Sequence, residues 1–300
     1  MAETAALDHW ASWILERRFG GDAEAAEAAM KHLAQRRERV LAGAEVREGD
    51  VVLDVGAGDG LIAFGALSLV GETGKVIFSD ISQDLLDVSR RLAEEVGVLE
   101  RAEFVRAAAE DLEPIADESV DVVTTRSVVI YVTEKQRAFD AFHRVLRPGG
   151  RLSMYEPINR FNFPEPDECF WGFDVTPVAD LKRKVHAAYG RLSGDGDSTL
   201  VDFDERDLLE FADRAGFKEI ELEYEASVRH GAGASFDMGQ RSWDAFLKTA
   251  PNPLAPSLGE VIDAALTPDE AERFVAHVRP LYEARTGTNR RADAYLRAVK

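Results

Sequence analysis

From residue 51 the chain alternates short apolar runs with longer amphipathic stretches. The runs VVLDV 51–55, KVIFSD 75–80, AEFVRA 102–107, VDVVTT 120–125 and RLSMYE 151–156 are separated by helical spacing over 60–70, 82–97 and 134–146. Strands this continuously apolar, each followed by a helix, predict a parallel sheet covered on both faces, a doubly wound α/β core. Before it, residues 5–43 place Trp10, Ile14 and Leu15, then Met30, Leu33, Arg37 and Leu41, at helical spacing, which predicts two helices broken near Gly20-Gly21. After Glu156 the pattern loosens around Pro157, Pro164, Pro166 and Pro177, passes through a helix near 178–190 and reaches the loop GDGD 194–197. Regularity returns with a helix over 204–217 stopped by Gly216 and an alternating strand over 219–228. RADAYLRAVK 291–300 supplies one more strand, a seventh.

Composition narrows the partners. The 36 Lys and Arg against 55 Asp and Glu give a formal charge of -19, which repels phosphate backbones and anionic lipid. MAETAALDHW carries no basic segment followed by an apolar run, and no stretch approaches the roughly 18 apolar residues of a membrane span. A cytoplasmic protein acting on neither nucleic acid nor membrane is therefore expected. Cys169 stands alone, which excludes an intrachain disulfide and a cysteine zinc site; a buried spectator is expected there. No His and carboxylate set has metal-ligand spacing.

The chemistry begins where the first strand runs into Gly56-x-Gly58-x-Gly60, with Asp54 two residues before the first glycine. Glycine lets the backbone turn tightly and lie against a ligand. The dinucleotide fingerprint wants a further glycine at 61, and the chain has Leu61. Asp59 at this helix start disfavours a ligand anion and welcomes an ammonium. Twenty residues after Gly60 the second strand ends in Asp80, whose carboxylate can accept from two vicinal ribose hydroxyls, and Ile81 can lie against an adenine face.

With LDVGAGDG 53–60, FSDIS 78–82, AAEDL 108–112 before DESVDVV 117–123, and HRVLRPGGRLSMYEP 143–157, the sequence resembles the class I S-adenosylmethionine-dependent methyltransferases, in particular their small-molecule and quinone-biosynthesis branch. The resemblance is close over 45–156 and loose over 200–230. It implies a Rossmann-like, mostly parallel seven-stranded sheet with helical cap insertions. The expected organisation is an N-terminal helical cap at 1–44, a cofactor-binding core at 45–156, a cap insertion at 157–203, core again at 204–229, a second cap insertion at 230–290 and a final core strand at 291–300. It also implies that Gly56, Ala57 and Gly58 pass under the methionine part of S-adenosylmethionine, that Asp80 holds the ribose, and that the backbone at Ala109 meets the adenine. Arg126 and Ser127 then face the methionine end. Relatives often carry Asp where this chain has Ala108, so the adenine amino group must find another acceptor, for which Glu110 is the candidate.

Methyl transfer from a sulfonium asks mainly for alignment and exclusion of water. If the acceptor must lose a proton, the candidate bases at the carboxyl ends of the strands are Glu156 and Tyr131. Their structural alternatives are a loop-binding carboxylate and an aromatic wall. His143 falls on the far side of the sheet, RVLRPGG reads as a structural turn, and His9, His32, His186 and His230 fall in cap segments. The caps hold Trp10, Trp13, Phe161, Phe163, Phe170, Trp171, Phe173, Tyr189, Phe236, Trp243 and Phe246, which suit an enclosed pocket for an apolar or aromatic acceptor or, equally, a packed cap core. Such caps also allow a homodimer. A nicotinamide-dependent oxidoreductase lacks its glycine at 61 and a Tyr-x-x-x-Lys pair here; a nucleic-acid methyltransferase lacks a platform for a flipped base in TTRSV 124–128; arsenite methylation lacks its cysteines. A binding protein of the same fold without turnover is the remaining alternative.

Overall fold

The computed structural model describes residues 6–193, 199–231 and 242–300; the expected loop at 194–197 and Phe236 lie outside them. Strands β1 (Val51–Val55), β2 (Lys75–Asp80), β3 (Ala102–Arg106), β4 (Val120–Arg126), β5 (Leu146–Pro157), β8 (Lys218–His230) and β9 (Thr288–Val299) form one sheet in the order β3-β2-β1-β4-β5-β9-β8. Parallel pairing joins β3 through β5, and β9 is antiparallel to both β5 and β8. A two-stranded ribbon, β6 (Cys169–Phe170) with β7 (Phe173–Asp174), stands apart from it.

Alternation along the central strands sends side chains to two cores. Val52, Val76, Phe78 and Val122 pack with α2 (Ala23–Ala44), α3 (Leu61–Leu69) and α4 (Gln83–Glu95). Leu53, Val55, Ile77 and Val123 pack on the opposite face with α5 (Lys135–Val145) and α7 (Glu205–Ala215). The helix ends follow their caps: Ser82 accepts from the Leu85 N–H to start α4, and Asp204 with Asp207 forms a capping box that starts α7, which Gly216 ends at φ 95°. Because the strand order reverses between β1 and β4, the crevice at their carboxyl ends is where such a sheet takes a ligand.

The segments around the sheet build a third core. α6 (Ala179–Ser193), α8 (Trp243–Lys248), α9 (Leu258–Ala265) and α10 (Pro268–Glu283) bury Phe173, Leu181, Phe246, Phe274 and Tyr282 among themselves. At the amino end, α1 (His9–Ser12) runs into a π turn over Trp13–Arg17, closed by the Arg18 N–H on the Trp13 carbonyl at 2.8 Å. β5 starts five residues before the expected Arg151: the Pro-Gly-Gly segment forms an irregular strand start, with a register shift opposite Val120/Val122 and Gly149 at φ 78° tied to Lys300. RVLRPGG is thus structural, as read from its sequence. None of the helices among the described residues is long and apolar enough to cross a membrane.

Candidate cofactor and active site

The glycine turn leaves β1 in the left-handed region, with φ 65° at Gly56, 56° at Gly58 and 81° at Gly60. A Cβ on Gly56 would lie 2.2 Å from Val128 Cγ2, so the turn is pressed against the loop after β4. A Cβ on Gly60 would lie 2.5 Å from the Phe64 ring. Gly56, Ala57 and Gly58 line a cavity of about 1150 Å³, whereas Gly60 does not. Gly60 instead starts α3 and serves the turn's shape.

Asp54 is also one step back from the cavity. Its carboxylate accepts from the Ala63 N–H at 3.1 Å and the Thr124 hydroxyl at 2.8 Å, pinning α3 to β1 and β4. Burial pushes its pKa up to about 7. The expectation that Asp54 contacts the cofactor is corrected accordingly: its oxygens are turned to the scaffold, and its effect on a ligand passes through the turn.

Asp80 does face the cavity. One oxygen accepts from the Gly58 N–H at 2.8 Å and the other from the Ser82 N–H at 2.9 Å. Each oxygen keeps a lone pair for a ligand hydroxyl, and burial raises the carboxyl's pKa. Beside it lie Ile81, 43% exposed despite being apolar, and Ala108, Ala109 and Glu110 across the cleft. An apolar wall, a carboxylate on a tight turn and a glycine cradle fit the adenine, ribose and thioether of S-adenosylmethionine in that order.

At the end of β4, Arg126 and Ser127 line the cavity, Ser127 at φ 56°. Glu156 does not line it. It is fully buried, with one oxygen accepting from the Val128 and Val129 N–H groups at 2.9 Å each and the other from Ile130 at 3.2 Å. Burial pushes its pKa up to about 7 against those three donors. This corrects Glu156 as an acceptor base: it is buried away from the cavity, and its carboxylate holds the loop that meets Gly56 through three backbone N–H groups. Tyr131 does line the cavity, its ring edge-on to Trp10 at 5.1 Å. Burial holds its phenol above the ordinary range, so at neutral pH it is a wall and a hydrogen-bond donor, not a base.

The amino-terminal segment closes the cleft. Asp8 caps α1 and accepts from the Ser82 hydroxyl at 2.6 Å, Ile14 lies over Gly58, and Trp10, Trp13 and Arg18 line the cavity. Trp13 donates to the Ala250 carbonyl at 2.9 Å, and a Cβ on Gly20 would lie 2.1 Å from the Ala245 carbonyl oxygen, so the segment is bound to the α8–α9 cap. Farther in, Tyr155 donates to Asp293 at 2.6 Å while Arg291 pairs with the same carboxylate at 2.5 Å. Tyr155, Arg291 and Asp293 all face the cavity.

Sequence reasoning missed Asp8, Arg18, Tyr155 and Asp293. Asp8 was legible as a cap before a helix; Asp293, an acid within the RADAYLRAV strand, was a weaker signal; Arg18 is one arginine among many. His32 and His186 line the cavity, while His143 packs edge-on against Phe217 at 5.1 Å, away from it. The cap aromatics divide: Phe163, Phe170, Trp171 and Tyr189 line the cavity, whereas Phe173, Trp243 and Phe246 belong to the cap core. Cys169 is half-buried, hydrogen-bonded to Glu165, and burial pushes its thiol up to about 11. No group of three His, Cys, Asp or Glu among the described residues could hold a metal.

The sequence model described as the ubiE/COQ5 methyltransferase family matches residues 29–235. The ubiquinone/menaquinone biosynthesis C-methyltransferase UbiE of Klebsiella pneumoniae is 34% identical over 182 residues, covering 59% of this chain and 69% of that protein. The Escherichia fergusonii protein of the same name is 40% identical over 111 residues, 37% of this chain and less than half, 44%, of the relative. Among solved structures, one from Bacillus halodurans described as a candidate methyltransferase superposes with a TM-score of 0.52 at 19% identity, over 89% of this chain and 99% of that one, and shares its fold.

Proposed function

The chain belongs to the ubiE/COQ5 methyltransferase family, S-adenosylmethionine-dependent enzymes of the class I fold, and on that premise we propose that it methylates a small aromatic acceptor of the quinol class at a ring carbon. The relatives' names supply the quinone class and the carbon. The observation that carries the reading here is the cavity's continuity: one space runs from the glycine turn and Asp80, past Tyr131, to the cap rings and the Tyr155–Asp293 pair. At about 1150 Å³ it exceeds the ~300–1,000 Å³ of a typical single-ligand pocket, which leaves room for an acceptor beside a cofactor.

When bound, S-adenosylmethionine supplies an electrophilic methyl group. The protein's part is to hold the acceptor in line and exclude water. Phe170, Trp171 and Tyr189 offer flat apolar walls, and the protonated Tyr131 hydroxyl can donate to an acceptor oxygen. Asp293, paired with Arg291 and hydrogen-bonded by Tyr155, is the carboxylate that takes a proton from the acceptor. Residues 1–44, 157–203 and 230–290 act as caps in this reading, and residues 45–156 bind the cofactor. The lone cysteine and the -19 charge favour a cytoplasmic enzyme with no nucleic-acid substrate. The test is to incubate the protein with methyl-labelled S-adenosylmethionine and a reduced naphthoquinone. Label on a ring carbon together with released S-adenosylhomocysteine supports the reading; cofactor binding without turnover on quinols of this class overturns the acceptor.

A further inference from the structure

Arg18 is 8% exposed, faces the cavity, and its guanidinium makes no hydrogen bond or ion pair with any described residue. It is flanked by the Trp13 and Phe19 rings, 5.2 and 5.3 Å from its guanidinium carbon. A buried cation without a partner carries a large desolvation cost. Burial first, and then the charge of Arg126, push its pKa down to about 10. Arg126, on the facing wall, also has no ion-pair partner among the described residues. Two guanidinium groups thus repel across one cleft. Asp59, at the glycine turn, is close enough to favour charge on Arg18 but forms no ion pair with it.

The backbone holds Arg18 in this place. The π turn over Trp13–Arg17 carries one extra residue per turn just before it, and such turns are frequent at functional sites. On its other side Gly20 is pressed on the Ala245 carbonyl. The cation is therefore fixed on the inner face of the amino-terminal lid, and it does not reach outward to solvent as a long side chain ordinarily does.

We propose that Arg18 and Arg126 form a carboxylate-binding pair filled by the amino-acid end of the cofactor, with Asp59 beside them receiving its ammonium. A planar guanidinium binds a carboxylate through paired N–H donors. Acid and base set side by side at the turn match a zwitterion, not a simple anion. Because Arg18 belongs to the lid and Arg126 to β4, the carboxylate bridges the two and binding of the cofactor fastens the lid.

This inference rests on the cofactor reading above, and calorimetric titration of the full chain separates the two. The probes are S-adenosylhomocysteine and 5′-methylthioadenosine, which keeps the adenosine and thioether but has no amino-acid end. In Arg18→Met, S-adenosylhomocysteine weakens about tenfold or more, the size of a lost charge-assisted bond, while 5′-methylthioadenosine stays within about twofold. Arg18→Lys recovers part of the loss. Unchanged S-adenosylhomocysteine affinity in Arg18→Met overturns the assignment, and a raised KM for the acceptor would then place the carboxylate on the acceptor. Equal weakening of both probes also overturns it, making Arg18 a structural part of the lid. If the wild-type chain binds neither probe, the cofactor reading itself fails.

Discussion

Asp80 ties the glycine turn to the start of the next helix while facing the cavity. Its two oxygens already accept from Gly58 and Ser82, so Asp80→Asn removes a charge and one acceptor together. It should weaken S-adenosylhomocysteine by about 1.5–3 kcal/mol, measured by titration, with the ligand-induced rise in Tm shrinking in parallel. Glu156→Ala should act differently: it strands three buried N–H donors, at about 1–3 kcal/mol for each left unsatisfied, so the loss appears first in urea denaturation. Asp54 carries a pH signature. Its folded pKa, about 7, lies above the ordinary 3.8, so the folded state binds more protons and this contribution to stability is present below pH ~4 and lost as the pH rises toward ~7. The Tm of the wild type should fall over that interval, and Asp54→Asn should remove part of the fall. At this scale the sequence was informative about which residues matter and weaker on how. Asp54 and Glu156 stand at strand ends beside the site, yet their partners Thr124, Ala63 and Val128–Ile130 come from other strands and loops, and no local pattern encodes such meetings.

Among the elements, the ones with clear periodicity were legible. β1, β2, β4, α3, α4 and α5 fall within a residue or two of the expected positions because each buries a continuous run or one helical face. α8, α9 and α10 were not resolved from the sequence as separate helices: α8 and α9 are short, and all three bury their faces against one another instead of the sheet. The π turn left no sequence signal, because its extra residue is decided by what Trp13 and Arg18 meet. The lid formed by α1 and this turn has a testable behaviour. Its attachments at Asp8–Ser82, Ile14–Gly58 and Trp10–Tyr131 all border the cofactor space, so hydrogen exchange over residues 8–22 should slow when S-adenosylhomocysteine binds. Exchange that is unaffected would mean that the lid is fixed beforehand.

Across the whole molecule, one cavity is lined both by the carboxyl ends of the sheet strands and by the segments around the sheet. The cap aromatics could have packed so as to leave no space; instead Phe173, Trp243 and Phe246 form a core behind the cavity wall of Phe170, Trp171 and Tyr189. The central claim is that the crevice at the carboxyl ends of β1, β2 and β4 takes an S-adenosyl nucleoside and not a dinucleotide, because Leu61 and Asp59 stand where a pyrophosphate would need a glycine and a free helix end. Calorimetric titration with S-adenosylhomocysteine and, separately, NADH tests it most directly. Micromolar binding of the first and none of the second is the expected result; NADH binding, or failure of S-adenosylhomocysteine to bind, would contradict it.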